Sequence, residues 1–171
     1  MMTHDDRIRS IQTNFVEALN QLIARLDALD DRTATKNPAD GWNAAQIGWH
    51  VATTNEFLSG ALKGDVPDMS IPKPDGFKEQ LATLQLPDRV KTFPSLEPPA
   101  GASRAEAVAK LRASADAFAK ALATATPDRC ATMCVQMPFG VAFSIYEVGE
   151  FTGAHIHRHI GQVNRTVAAR A

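Results

Sequence analysis

Three histidines are the residues of this chain best suited to chemistry: His155 and His159, four positions apart near the C-terminus, and His50, roughly a hundred residues earlier. Positions i and i+4 of an α-helix lie one above the other on one face, so both imidazoles can turn toward one point. A third imidazole from another helix completes three protein ligands for a divalent transition metal. That count leaves a position open for a reacting molecule, as catalytic sites require. An ion so held lowers the pKa of a thiol or water and polarises an electrophile. Plainer readings stand beside this one. His50 shares its face with Ile47, Val51, Thr54, Phe57 and Leu58, and a core histidine bonded to a neighbour would look the same. For the i,i+4 pair there are fewer alternatives, because two charged imidazoles on an apolar stripe repel, whereas one ion satisfies both neutral rings.

Other side chains surround this constellation. Gln162, three residues beyond His159 on the same stripe, is placed to hydrogen-bond an imidazole or a bound ligand, or else is a polar residue at the edge of the core. Arg158 and Arg165 flank the face, where a guanidinium could hold a substrate carboxylate or simply be solvated. His157 is about 200° around the helix from the histidine face and is expected to point outward, and His4 is expected in a frayed start. Trp42 and Trp49 read as packing residues. Glu56 and Glu147 fall off the histidine face, so no carboxylate base presents itself. Cys130 and Cys134 read as small buried thiols, with one further option: either could close the metal site as a fourth ligand, which would make the ion structural.

The elements that must position these residues follow from periodicity. Ile11, Phe15, Leu19, Leu22, Leu26 and Leu29 recur at spacings of three and four from Ile8 onward, predicting a first amphipathic helix of about six turns. Asn43 is a candidate cap for a second helix running to Leu62, with His50 inside it. Residues 63 to 103 hold seven prolines and form a long crossover, with a short helix possible over Phe77 to Leu86. Ser103 and Glu106 mark the start of a third helix, which Pro127 stops. Cys130 to Phe143 reads as an irregular or weakly extended connection, and Ser144 with Glu147 opens a fourth helix carrying His155 and His159. Gly149, Gly153 and Gly161 in that helix point to close packing against neighbours. Four helices with one long crossover between the second and third predict an all-α four-helix bundle, a single domain over residues 1–171.

Composition narrows the partners. The 171 residues carry 18 basic and 19 acidic side chains, a formal charge of -1, so nothing supplies the field that nucleic acid or an anionic membrane requires. The acidic N-terminal residues lack a signal-like apolar run and no segment reaches membrane-span length, which predicts a cytoplasmic protein with reduced thiols.

The segments Gly41-Trp42-Asn43-Ala44-Ala45-Gln46-Ile47-Gly48-Trp49-His50-Val51, Thr92-Phe93-Pro94, Phe139-Gly140 and Ala154-His155-Ile156-His157-Arg158-His159-Ile160-Gly161-Gln162-Val163 resemble, in order and spacing, those of the DinB-like superfamily. That superfamily also contains mycothiol- and bacillithiol-dependent S-transferases. The resemblance implies a four-helix bundle whose ligands for a divalent metal, zinc or nickel most often and iron in principle, are His50, His155 and His159. It further implies a low-molecular-weight thiol as co-substrate, a small-molecule electrophile, and a homodimer. Hydrolysis by activated water is the enzymatic variant. A non-catalytic protein with a structural metal or a metal-free histidine cluster is the alternative class.

Overall fold

A computed structural model of the chain describes residues 1–87 and 90–169. Four long helices dominate it: α1 (His4–Asp27), α3 (Ala44–Lys63), α4 (Arg104–Leu122) and α6 (Ile145–Ala168). The short helices α2 (Asp31–Thr35) and α5 (Pro127–Thr132) lie between them. Going around the core, α1 packs on α6, α6 on α3, α3 on α4 and α4 on α1. Phe15 and Phe118 stack at 3.8 Å at its centre, among buried Leu22, Leu26, Ile47, Leu111 and Ile156. Burying each such side chain contributes about 1.5–3 kcal/mol. No helix among the described residues is long and apolar enough to cross a membrane.

Helix starts are set by side-chain caps. Thr3 accepts from the Asp6 N–H, so α1 begins at His4 rather than at the first apolar residue, with Asp5 and Asp6 favourably placed in its first turn. Asn43 and Gln46 form a reciprocal capping box at α3, as do Ser144 and Glu147 at α6. At α4 Ser103 accepts from the Glu106 N–H. Gly64, at φ 87°, ends α3 in the left-handed conformation that a Cβ disfavours.

The mainly helical expectation needs three corrections. Residues 130–143, expected to be irregular or weakly extended, are extended as regular strands: after α5 they form β2 (Met133–Gln136) and, past the turn at Gly140, lead into β3 (Ala142–Ser144). Both belong to a small antiparallel sheet with β1 (Ser70–Pro72), in the order β1-β2-β3 and with Ile71 opposite Cys134. β1 joins β2 across more than sixty residues of chain, whereas β2 and β3 form a local hairpin whose strands are too short to carry a clear alternating pattern. Pro72 is tolerated because β1 is an edge strand.

The expected helix over Phe77 to Leu86 is reduced to a 3-10 turn at Leu81–Thr83. Its backbone donors are diverted: buried Glu147 accepts from the N–H groups of Gln80 at 2.5 Å and Leu81 at 2.6 Å, as well as from Ser144 at 2.8 Å. The third correction concerns His4, which is not frayed. Its Nδ1 lies 2.7 Å from the Tyr146 hydroxyl, and Arg7 beneath it pairs with both Glu79 and Glu150.

Close packing seats both histidine-bearing helices against α1, and α3 also against α4. A Cβ on Gly48 would stand 2.6 Å from Leu26 Cδ1 and 3.3 Å from Ala107 Cβ, and one on Gly149 2.7 Å from Ile11 Cγ2. Gly161 meets only Arg165 of its own helix.

Candidate metal centre

His50 projects from α3 between two elements that fix its ring. The crossover returns at a 3-10 turn, Pro94–Leu96, and the Leu96 carbonyl lies 2.8 Å from His50 Nδ1. Trp42, just before α3, lies against the other side with ring centroids 4.8 Å apart. A carbonyl can only accept, so His50 carries its proton on Nδ1 and leaves Nε2 as a lone pair. On α6 the arrangement repeats. Gln162 Oε1 lies 2.7 Å from His159 Nδ1, which makes Nδ1 the donor and frees Nε2.

These free nitrogens converge with His155. Its Nε2 is 3.0 Å from His159 Nε2, and its ring centroid is 5.4 Å from that of His50. One ligand atom from each of the three residues lies within 4.8 Å of the others. Two nitrogens bound at about 2.1 Å to a tetrahedral ion stand about 3.4 Å apart. The α6 pair is already near that spacing, and the third ligand atom lies within 4.8 Å of both. His155 Nδ1 is buried without a hydrogen-bond partner among the described residues.

Electrostatics favour the ligand state. Burial pushes the pKa of all three histidines down, His155 well below the usual value and His159 to about 4. For His155 the neighbouring His159 and His50 add to the effect, and for His159 the proximity of His50 does the same. The rings are therefore neutral near pH 7, as coordination requires. With their Nδ1 protons anchored on Gln162 and the backbone, His50 and His159 have the outer partners that orient metal-bound imidazoles. The residues present fit a divalent ion.

Other expected participants fall elsewhere. Arg158 donates to the Pro87 carbonyl at 2.9 Å and so holds the crossover. Arg165 and His157 are exposed. Glu56 is exposed on the α4 side of α3, and Glu147 is engaged by three backbone N–H groups. Cys130 and Cys134 are buried in α5 and β2, and among the described residues the metal-capable group contains neither. Burial raises both thiol pKa values, the opposite of what a ligand or nucleophile needs. Sequence reasoning missed the Leu96 carbonyl, which has no side-chain signature, and the contact of Trp42 with His50, whose one signal was the position of Trp42 about two turns before His50 at the entry to α3.

A search of curated proteins finds no match to the chain. The sequence profile of the DinB superfamily matches residues 14–163, a span that takes in all three histidines, the crossover and the sheet, and the chain belongs to that superfamily.

Proposed function

We propose that the chain is a metal-dependent enzyme in which His50, His155 and His159 hold a divalent ion, zinc or nickel in the first instance and iron as the imidazole set also permits. The observation that carries this reading is the convergence of three neutral imidazoles with no fourth ligand among the described residues, which leaves a position for a reactant. A divalent ion in such a site lowers the pKa of a thiol or water and polarises an electrophile. The chain's own part is to keep the rings neutral by burial, to fix their tautomers through Leu96 and Gln162, and to screen the site from bulk water with the crossover.

Of the two nucleophiles, a low-molecular-weight thiol is favoured. Glu147 is fully engaged and Glu56 faces away, so water would lack a carboxylate base, whereas a thiol ionises readily without one. The reaction is then S-transfer to a small electrophile. The superfamily resemblance supports a four-helix bundle acting as a homodimer.

The test is metal content by elemental mass spectrometry on untagged protein beside a His159→Ala variant. Near-stoichiometric metal in the wild type, reduced at least tenfold in the variant, is expected. Metal absent from both after reconstitution with zinc and nickel would favour a metal-free histidine cluster. The 3.0 Å contact between His155 and His159 supports that second reading, since one neutral imidazole can donate to the other.

A further inference from the structure

Two hydroxyls on the His50 side of α3 have no hydrogen-bond partner among the described residues. Thr53 and Thr54 follow His50 by three and four residues, which puts both on its side of α3. Thr54 is 6% exposed, and the Oγ1 atoms of both residues are buried with no hydrogen-bond partner. Helical hydroxyls elsewhere in this chain behave otherwise: Thr152 donates to the Val148 carbonyl at 2.7 Å and Ser59 to the Asn55 carbonyl at 2.7 Å. A buried hydroxyl that forgoes this bond has a proton to donate to something else.

Aromatic rings border the same side of the site. Phe57, one turn past Thr53, faces Phe93 of the crossover at 6.5 Å, and Phe151 on α6 lies 6.1 Å from His155 and 5.7 Å from Phe139. Phe93 is 45% exposed, while Phe57 and Phe151 are half-buried, so an incoming molecule meets these rings first and reaches the buried Thr54 hydroxyl only as side chains shift. Apolar walls with one or two convergent donors are the usual lining of a small-molecule site.

We infer that this side of the centre binds a small uncharged molecule with an aromatic ring and a carbonyl oxygen, the ring packing on Phe57, Phe93 and Phe151 and the oxygen accepting from Thr54. This assigns the class of the electrophile and rests on the metalloenzyme reading above.

The test measures binding to zinc-reconstituted protein by ligand-observed NMR with three probes. These are acetophenone, α-methylstyrene (the same shape without the oxygen) and acetone (the carbonyl without the ring). Wild type is expected to bind acetophenone more tightly than either of the others. Thr54→Val should weaken acetophenone about 3- to 10-fold and abolish its advantage over α-methylstyrene, with zinc content unchanged. Thr54→Ser, which keeps the hydroxyl, should retain the preference, and Phe57→Ala should weaken both aromatic probes. The free Thr54→Val protein should melt about 2–4 °C higher, because an unpartnered buried hydroxyl has been removed.

Equal binding of acetophenone and α-methylstyrene by wild type, or a preference that survives Thr54→Val, would overturn the inference. So would a lower Tm in that variant, since it would mean the hydroxyl has a partner within the protein. The two readings fail separately. Normal zinc content without probe selectivity removes the pocket and leaves the metal, whereas selectivity without zinc uptake removes the metalloenzyme and leaves the pocket.

Discussion

At the scale of single residues, the centre depends on what sits behind each ligand. Gln162 is not placed to touch the ion, yet its carbonyl oxygen at 2.7 Å keeps His159 Nδ1 protonated and its ring aimed inward. Gln162→Leu preserves the size of the side chain and removes the acceptor, so metal affinity should fall about 10- to 100-fold. Competition against a chromophoric chelator measures this, and an unchanged affinity would mean that packing alone orients the ring. The faces of His50, His155, His159 and Gln162 were legible in the sequence because helical periodicity fixes which residues share a side. The carbonyl behind His50 was not, since any residue has one and only the tertiary path of the crossover selects Leu96. The partnerless state of Thr54 was equally hidden: its place on the His50 face could be read, but not what its hydroxyl meets.

At the scale of elements, Glu147 does two tasks at once. It closes the capping box of α6, the helix bearing His155 and His159, and it pins the crossover at Gln80 and Leu81. Removing the carboxylate in Glu147→Ala leaves three buried or half-buried backbone donors short of a partner, a loss of about 2–4 kcal/mol. Urea unfolding should show that loss, and hydrogen exchange should show it concentrated at residues 78–84 and 144–147. Protection that stays unchanged in the crossover would mean that prolines and local contacts hold it without Glu147. The four long helices were legible because each carries an apolar stripe and three of them a recognisable cap. The sheet was not, because three- and four-residue strands have too little pattern of their own and β1 exists only through pairing with a segment more than sixty residues away. For the same reason the helix expected over Phe77 to Leu86 failed: its propensity was outweighed by a carboxylate sixty-seven residues away.

At the scale of the whole molecule, burying three neutral histidines links stability to pH. Their folded pKa values lie below the unfolded value of 6.5, so as pH falls the unfolded chain takes up protons first. The stability of metal-stripped protein should therefore be fully present above pH 6.5 and be lost progressively toward pH 4, by about 3 kcal/mol for His159 alone. Urea midpoints between pH 7 and 5.5 isolate the effect, since carboxylates titrate lower. A flat profile there would mean that the histidines are more hydrated than their burial implies. The chain also holds only two tryptophans. Trp49 lies under the Lys110 ammonium at 5.3 Å, while Trp42 rests on the ring of His50. An open-shell ion held by that imidazole drains the excited state of the indole pressed against it. The protein thus carries its own optical gauge of occupancy: nickel titration should dim part of the emission, and in Trp42→Phe the remaining light from Trp49 should stay nearly constant as the site fills.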